Sequence, residues 1–256
     1  MIKAVNLSSL VTQLDAELNI RAIPDYSGAL NGLQLQNGSG KVQRIIAAVD
    51  ACLPVVRAAA EESGPVLLIV HHGMFWSGAQ CITGSVFEKF RTAMQADLAI
   101  YSAHLPLDVH PRLGNNALLA KALGITKTTP FFDFKGLKVG LRAKVSMTRT
   151  ALMKRLSAAV GGSVHVCAGG PEKVREIGII TGGAGSEIAA IAATGVDTFI
   201  TGEGPHWSYT AAEELGANLL YGGHYATETF GVKAAAAWLA AKHKLPWEFI
   251  DHPTGL

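Results

Sequence analysis

The chain has 256 residues, 49% hydrophobic and 16% charged, enough for one large α/β domain or two small ones with an ample core. A formal net charge of +2, with no run of Lys or Arg, gives nothing to track a phosphate backbone, so nucleic acid is not indicated as a partner. Cys52, Cys81 and Cys167 are odd in number and widely spaced, which fits neither a disulfide framework nor a Cys-x-x-Cys metal knuckle and points to a reducing compartment.

Met1 to Leu18 reads as an amphipathic helix carrying Asp15 and Glu17, unlike a leader with a basic start and an apolar centre. Within it, Ser8 to Leu18 is the expected first helix, with Ser8 or Ser9 as its cap. Asp25-Tyr26-Ser27-Gly28 and Asn31-Gly32 mark loops, and Leu33 to Leu35 a short strand. Arg44 to Val49 is a β-rich run ending at Asp50, Pro54 to Glu62 a helix opened by proline, and Val66 to Val70 an apolar strand ending at His71-His72-Gly73. A helix leads to the strand Leu98 to Ile100. Leu118 to Leu123 is a helix stopped by Gly124, and Lys127 to Pro130 a crossing point.

Gly136 to Ser146 alternates as a strand, and Thr148 to Val160 is a helix capped by Thr148 and ended by Gly161-Gly162. Val174 to Thr181 is a strand, Gly182 to Ser186 a glycine-rich turn, Glu187 to Thr194 a helix, and Thr198 to Thr201 a strand ending at Gly202-Glu203-Gly204. Leu219-Leu220 opens another strand, Val232 to Lys242 is the final helix, and Pro246 to Ile250 a closing strand beside the first half. No apolar stretch reaches the roughly 20 residues needed to span a bilayer, so a soluble, cytoplasmic protein is expected.

The segments Val42 to Trp76 and Val174 to Trp207 agree in element order and almost in length. The fold class expected is therefore α/β, with two interlinked, internally related halves and mostly parallel sheets flanked by helices. Residues 1–126, completed by 229–256, would make the first half and residues 127–228 the second.

A second repetition carries the chemistry. Tyr101-Ser102-Ala103-His104 leads to Asp108, and Tyr221-Gly222-Gly223-His224 leads to Glu228, each after an apolar run. A histidine and a carboxylate just past a strand end offer a metal ion an imidazole nitrogen and an anionic oxygen from a stiff scaffold. A spacing of four also puts both side chains on one face of a helix; a capping role would account for Glu228 but not for its histidine. His71-His72-Gly73 adds two donors. Adjacent residues of a strand point to opposite faces, so both histidines can serve one site only if the strand breaks there, as Gly73 permits.

The donors His71, His72, His224, Asp108 and Glu228 exceed the three protein ligands of a catalytic zinc. Two ions sharing Glu228 or Asp108 and a hydroxide fit the count better. His104 is expected to orient a carboxylate or the substrate rather than to ligate. Glu203 and His206, on the loop equivalent to His71-His72, are candidate acid–base or substrate-positioning groups. The turn Gly182 to Ser186 could bind an anion or serve tight strand-to-helix packing; it lacks the lysine of a P-loop. Asp50 and Asn115-Asn116 could line the site.

Together, His71-His72-Gly73, His104 with Asp108, Thr201-Gly202-Glu203 with His206, and Gly223-His224 with Glu228 resemble the signature of the Nif-three-like (YbgI-like) family of dinuclear metal proteins. Some of its members are called GTP cyclohydrolase I type 2. The resemblance runs from about Leu10 to Asp251. It implies two divalent ions per subunit at His71, His72, Asp108, His224 and Glu228, and ring-shaped homohexamers with the metal sites facing an internal cavity. The short connection from Pro130 to Gly170 leaves no room for the domain that some homologues insert there.

The function expected is a dinuclear metal-dependent hydrolase acting on a small nucleotide-like or heterocyclic molecule, with Glu203, His206 and His104 as candidate catalytic groups. The alternative is a non-catalytic metal-binding regulator or carrier using the same donors. Mixed imidazole and carboxylate ligation suits Zn, Mn, Fe, Co or Ni.

Overall fold

The computed structural model describes residues 4–256. It divides into two compact units: residues up to Leu107 with Gly231–His252, and Asp108–Phe230 with Pro253–Leu256.

The first unit contains β1 (Val5–Asn6), α1 (Leu7–Glu17), β2 (Gly32–Leu35), β3 (Lys41–Val42), β4 (Arg44–Asp50), α2 (Leu53–Ala60), β5 (Val66–His72), α3 (Gly84–Gln95) and β6 (Leu98–Ser102). The chain leaves this unit within α4 (Leu105–Val109). The second unit adds α5 (Asn115–Ala122), β7 (Thr129–Phe134), β8 (Leu137–Thr148), α6 (Arg149–Val160), β9 (His165–Ala168), β10 (Lys173–Ile179), α7 (Ile188–Ala192), β11 (Thr198–Thr201), α8 (Trp207–Glu214) and β12 (Asn218–Tyr221). Within α9 (His224–His243) the chain returns to the first unit, where β13 (Trp247–Phe249) closes it.

In the first unit, β4, β5 and β6 are parallel neighbours in a sheet of order β13-β4-β5-β6-β2. Their apolar runs are continuous because the sheet is covered on both sides: Ile45 to Ala48 and Val66 to Val70 are all buried. One face, through Ile46, Ala48, Leu68, Val70 and Ile100, packs with Val55, Val56 and Ala59 of α2 and Ala93 of α3.

In the second unit, β10, β11 and β12 are again parallel neighbours, in the order β7-β8-β10-β11-β12-β9. Each unit thus runs helix, antiparallel edge strand, then three parallel strands joined by helices. The edge strand is β2 against β6 in the first and β9 against β12 in the second. The internal relation expected from Val42 to Trp76 and Val174 to Trp207 is present in strand order and direction. The units differ at the other side: β13 is parallel to β4, whereas β8 is antiparallel to β10.

Two expectations are corrected. The division falls at Leu107/Asp108 and Phe230/Gly231, not after residues 126 and 228. Residues 108–126 belong to the second unit because Leu119, Ala120, Leu123 and Ile125 are buried with Leu152, Leu156, Ile177, Ile200 and Leu220. The first helix starts at Leu7 rather than at a serine cap: pairing of β1 with β3 holds Asn6 extended, and Gly40 accepts the Leu7 N–H at 3.0 Å. The closing strand does lie beside β4, and Thr148 does cap α6, accepting the Ala151 N–H at 3.1 Å. Cys52, Cys81 and Cys167 are free thiols. No helix among the described residues is long and apolar enough to cross a membrane.

Thr148→Ala removes the capping hydroxyl from that helix end. The variant should lose about 1 kcal/mol of stability, read as a lower denaturant midpoint at unchanged slope.

Candidate metal centre

In the first unit, donors gather at the ends of β5 and β6. His71 Nδ1 lies 2.9 Å from the Ala103 carbonyl oxygen, His72 Nδ1 2.9 Å from Asp50 Oδ1, and His104 Nδ1 2.8 Å from Asp25 Oδ1. A carbonyl or carboxylate accepts, so each Nδ1 donates its hydrogen, and a ring bearing that single hydrogen has its lone pair on Nε2. The ligand atoms of these three histidines lie within 4.8 Å of one another, and all three rings are buried.

The expected strand break at His71 is not observed: β5 continues through His72, which pairs with Asp50. The two histidines converge by another route. Pairing with β6 stops at Val70, while pairing with β4 runs two residues further, so the end of β5 has a paired strand on one side and side-chain bonds to Ser102 and Ala103 on the other. His71 turns towards Ala103, beyond β6, and His72 towards Asp50, at the end of β4; their ring centroids remain 4.8 Å apart.

Asp25 is the member that sequence reasoning missed. It sits 79 positions from His104 in a segment read simply as a turn. Its two oxygens accept from the His104 ring, the Tyr26 N–H (2.7 Å), the Asn31 amide (2.8 Å) and the Leu105 N–H (2.9 Å). Burial alone would raise its pKa; the His104 ring, the Asn31 amide and the Tyr26 N–H lower it instead.

In the second unit, α9 starts at His224 and carries Glu228 one turn on. The i, i+4 spacing brings His224 Nε2 to 3.2 Å from Glu228 Oε2, and Glu203 Oε1 holds His224 Nδ1 at 2.8 Å. Asp108 Oδ1 accepts from Asn115 Nδ2 at 2.8 Å and Thr181 Oγ1 at 3.2 Å, and its ligand oxygen lies within 4.8 Å of that of Glu228. Asn116 sits behind, accepting the Thr181 N–H and donating to the Val139 carbonyl. Thr181, like Asp25, carried no signal in the sequence.

The glycine-rich turn serves close packing. Gly182 has φ +73°, and a Cβ there would collide with the Glu228 carboxylate. Its carbonyl accepts from the N–H groups of Gly202 and Glu203, which fixes the loop that holds His224. The tyrosines of the repeated motif are anchors: Tyr101 donates to Asp15 of α1, and Tyr221 bonds Ser208 of α8. Of the candidate catalytic residues, His104 lies in the first donor set and Glu203 touches the second. His206 is exposed at the start of α8 and belongs to neither.

The first unit therefore carries a buried set of three imidazoles, and in the second Glu228 lies near Asp108 and the half-buried His224, with no thiolate in either. That chemistry fits a borderline or hard divalent ion. Residues 5–254 match the Duf34/NIF3 (NGG1p interacting factor 3) family. This chain belongs to that family. A Deinococcus radiodurans protein named GTP cyclohydrolase 1 type 2 homolog is 43% identical over 254 residues, spanning 98% of this chain and 95% of its own. The crystal structure of a Thermus thermophilus protein is 40% identical with a TM-score of 0.88, over 98% of this chain and all of that one (100%). A third, a protein called ybgI and described as of unknown function, is 34% identical with a TM-score of 0.90, covering 98% of this chain and 100% of its own.

In the metal-free form of this DUF34/NIF3 protein, burial would lower the His224 pKa, but Glu228 and Glu203 raise it from 6.5 to about 9. A raised folded-state value means that the His224 charge contributes stability fully below pH 6.5, and that the contribution disappears as pH rises through about 9. NMR titration of metal-free protein should follow this proton, and Glu203→Gln should move the midpoint down. An unchanged midpoint would show that Glu203 does not hold the proton.

Proposed function

We propose that this chain is a metal-dependent hydrolase that binds two divalent ions through His71, His72, Asp108, His224 and Glu228. Its substrate is a small nucleotide-like or heterocyclic molecule. The observation that carries the reading is the state of His71 and His72: each Nδ1 is held by a carbonyl or carboxylate, which makes Nε2 the atom offered to a metal. Membership of the DUF34/NIF3 family and the cyclohydrolase name of relatives such as the Deinococcus protein support the substrate class.

The residues divide the work. Asp50 and the Ala103 carbonyl keep the His72 and His71 rings in one tautomer, and Glu203 does the same for His224. Asn115 and Thr181 fix the Asp108 carboxylate, so that a defined oxygen is presented. When bound, two divalent ions supply Lewis acidity and lower the pKa of bound water towards neutrality. Glu203 is partly exposed and can accept or return a proton, while His104, locked by Asp25, positions the substrate beside His71 and His72. His206 meets the substrate from the solvent side. We further propose a homohexamer in a reducing, cytoplasmic compartment, the latter in keeping with three free cysteines.

Metal analysis of purified protein should give two ions per chain, and His72→Ala or Glu228→Gln should give one or none. Asp50→Asn keeps every ligand but frees the His72 ring, and should weaken metal affinity roughly 10- to 100-fold. Assays on nucleotides, pterins and phosphoesters should find metal-dependent turnover that both ligand variants lose. A metal-loaded protein silent across the whole panel would leave a binding role instead. Light scattering checks the hexamer.

A further inference from the structure

Beside the first donor set stand two aromatic rings that the proposed chemistry does not use. Trp76 is 38% exposed and Tyr26 50%, values high for such large rings. The Trp76 ring centroid lies 4.7 Å from that of His72 and 4.4 Å from that of His104. Tyr26 stands almost perpendicular to Trp76, at 82° with centroids 6.3 Å apart, and 5.9 Å from His104.

The corner is held from behind. Asp25 fixes the Tyr26 N–H through the same carboxylate that holds His104. Gly28 lets the Tyr26 loop lie directly on the Trp76 segment, since a Cβ there would sit 2.9 Å from the Trp76 carbonyl oxygen and 3.1 Å from that of Phe75. Gln34 ties both loops together, accepting the Met74 N–H at 2.6 Å and donating to the carbonyls of Ala29 (3.0 Å) and Leu30 (3.1 Å). Two exposed rings are thus kept at a fixed angle by the polar groups of Asp25 and the half-buried Gln34, so little ordering remains to oppose binding.

We infer that Tyr26 and Trp76 form a stacking corner for a planar, uncharged heterocycle of the substrate, beside the donors His71 and His72. This rests on the metal-dependent reading above, which also sets the charge of the occupant: divalent ions at the neighbouring donors repel a cation. Stacking on an indole tolerates any flat ring and ignores the sugar. Trp76 accordingly selects for the base, whereas the metal ligands act on the reacting group.

The test is calorimetric binding of guanosine monophosphate and of ribose 5-phosphate, which lacks the base, to metal-loaded wild type, Trp76→Ala and Trp76→Phe. Metal content and light scattering are recorded on each sample. Wild type should bind the nucleotide about tenfold or more tightly than the sugar phosphate; Trp76→Ala should erase that gap with metal content unchanged, and Trp76→Phe should keep most of it. Equal binding of the two probes by wild type, or full nucleotide affinity in Trp76→Ala, overturns the proposal. So does a change of oligomeric state in Trp76→Ala and Trp76→Phe alike, which would assign the rings to a subunit contact. The outcomes separate the two readings: two bound ions without base preference sinks the corner alone, whereas Trp76-dependent base preference in protein that takes up no metal sinks the metal reading alone.

Discussion

Everything at the candidate centre depends on fixing one nitrogen of each imidazole. A neutral histidine has one donor and one acceptor nitrogen, and a buried ring left to choose would place its lone pair in either direction. Here His71, His72 and His104 each give Nδ1 to a carbonyl or carboxylate within 2.9 Å, and Glu203 holds Nδ1 of His224 at 2.8 Å. The parallel strands matter for this reason. Neighbouring parallel strands run side by side to their ends, so the last residue of one can reach the side chain of the next, as Asp50 of β4 reaches His72 of β5.

The same economy governs the glycines. Gly182 has the left-handed conformation and stands where a side chain would displace Glu228, and Gly202 lies against the Gly182 carbonyl and the His224 backbone. Without these close approaches, the loops after β10 and β11 could not support the start of α9. Charge then follows from geometry: with Glu203 on one nitrogen and Glu228 at the other, His224 holds a proton far more firmly than an ordinary histidine.

The two units share an order of helices and strands and have diverged at their strand ends. Where the first has His71-His72 at the end of β5, the second has Gly202-Glu203 after β11. His104 and His224 hold the same place in the repeated motif and share a device, a carboxylate on Nδ1, although that carboxylate comes from a loop before β2 in one unit and from the loop after β11 in the other. The resemblance between the halves is therefore one of scaffold, on which different chemistry has been placed.

Continuous apolar runs, proline and threonine at helix starts and glycine at helix ends were enough to read the parallel strands and most helices, because those signals act within a few residues. The histidine-to-carboxylate spacing keeps its helical meaning for His224 and Glu228, one turn apart on α9, but not for His104 and Asp108, since His104 precedes α4 and the two fall in different units. Longer-range facts were not legible. Residues 108–126 join the second unit through the burial of Leu119 and Leu123 against distant side chains, which no local pattern records. Nor could spacing reveal that Asp25 holds His104 across 79 positions, that Thr181 steadies Asp108, or that β5 runs on through both histidines. The order of residues is enough to name the donors and most of the elements that carry them. Which nitrogen each histidine presents depends on hydrogen-bond partners that folding alone brings within reach.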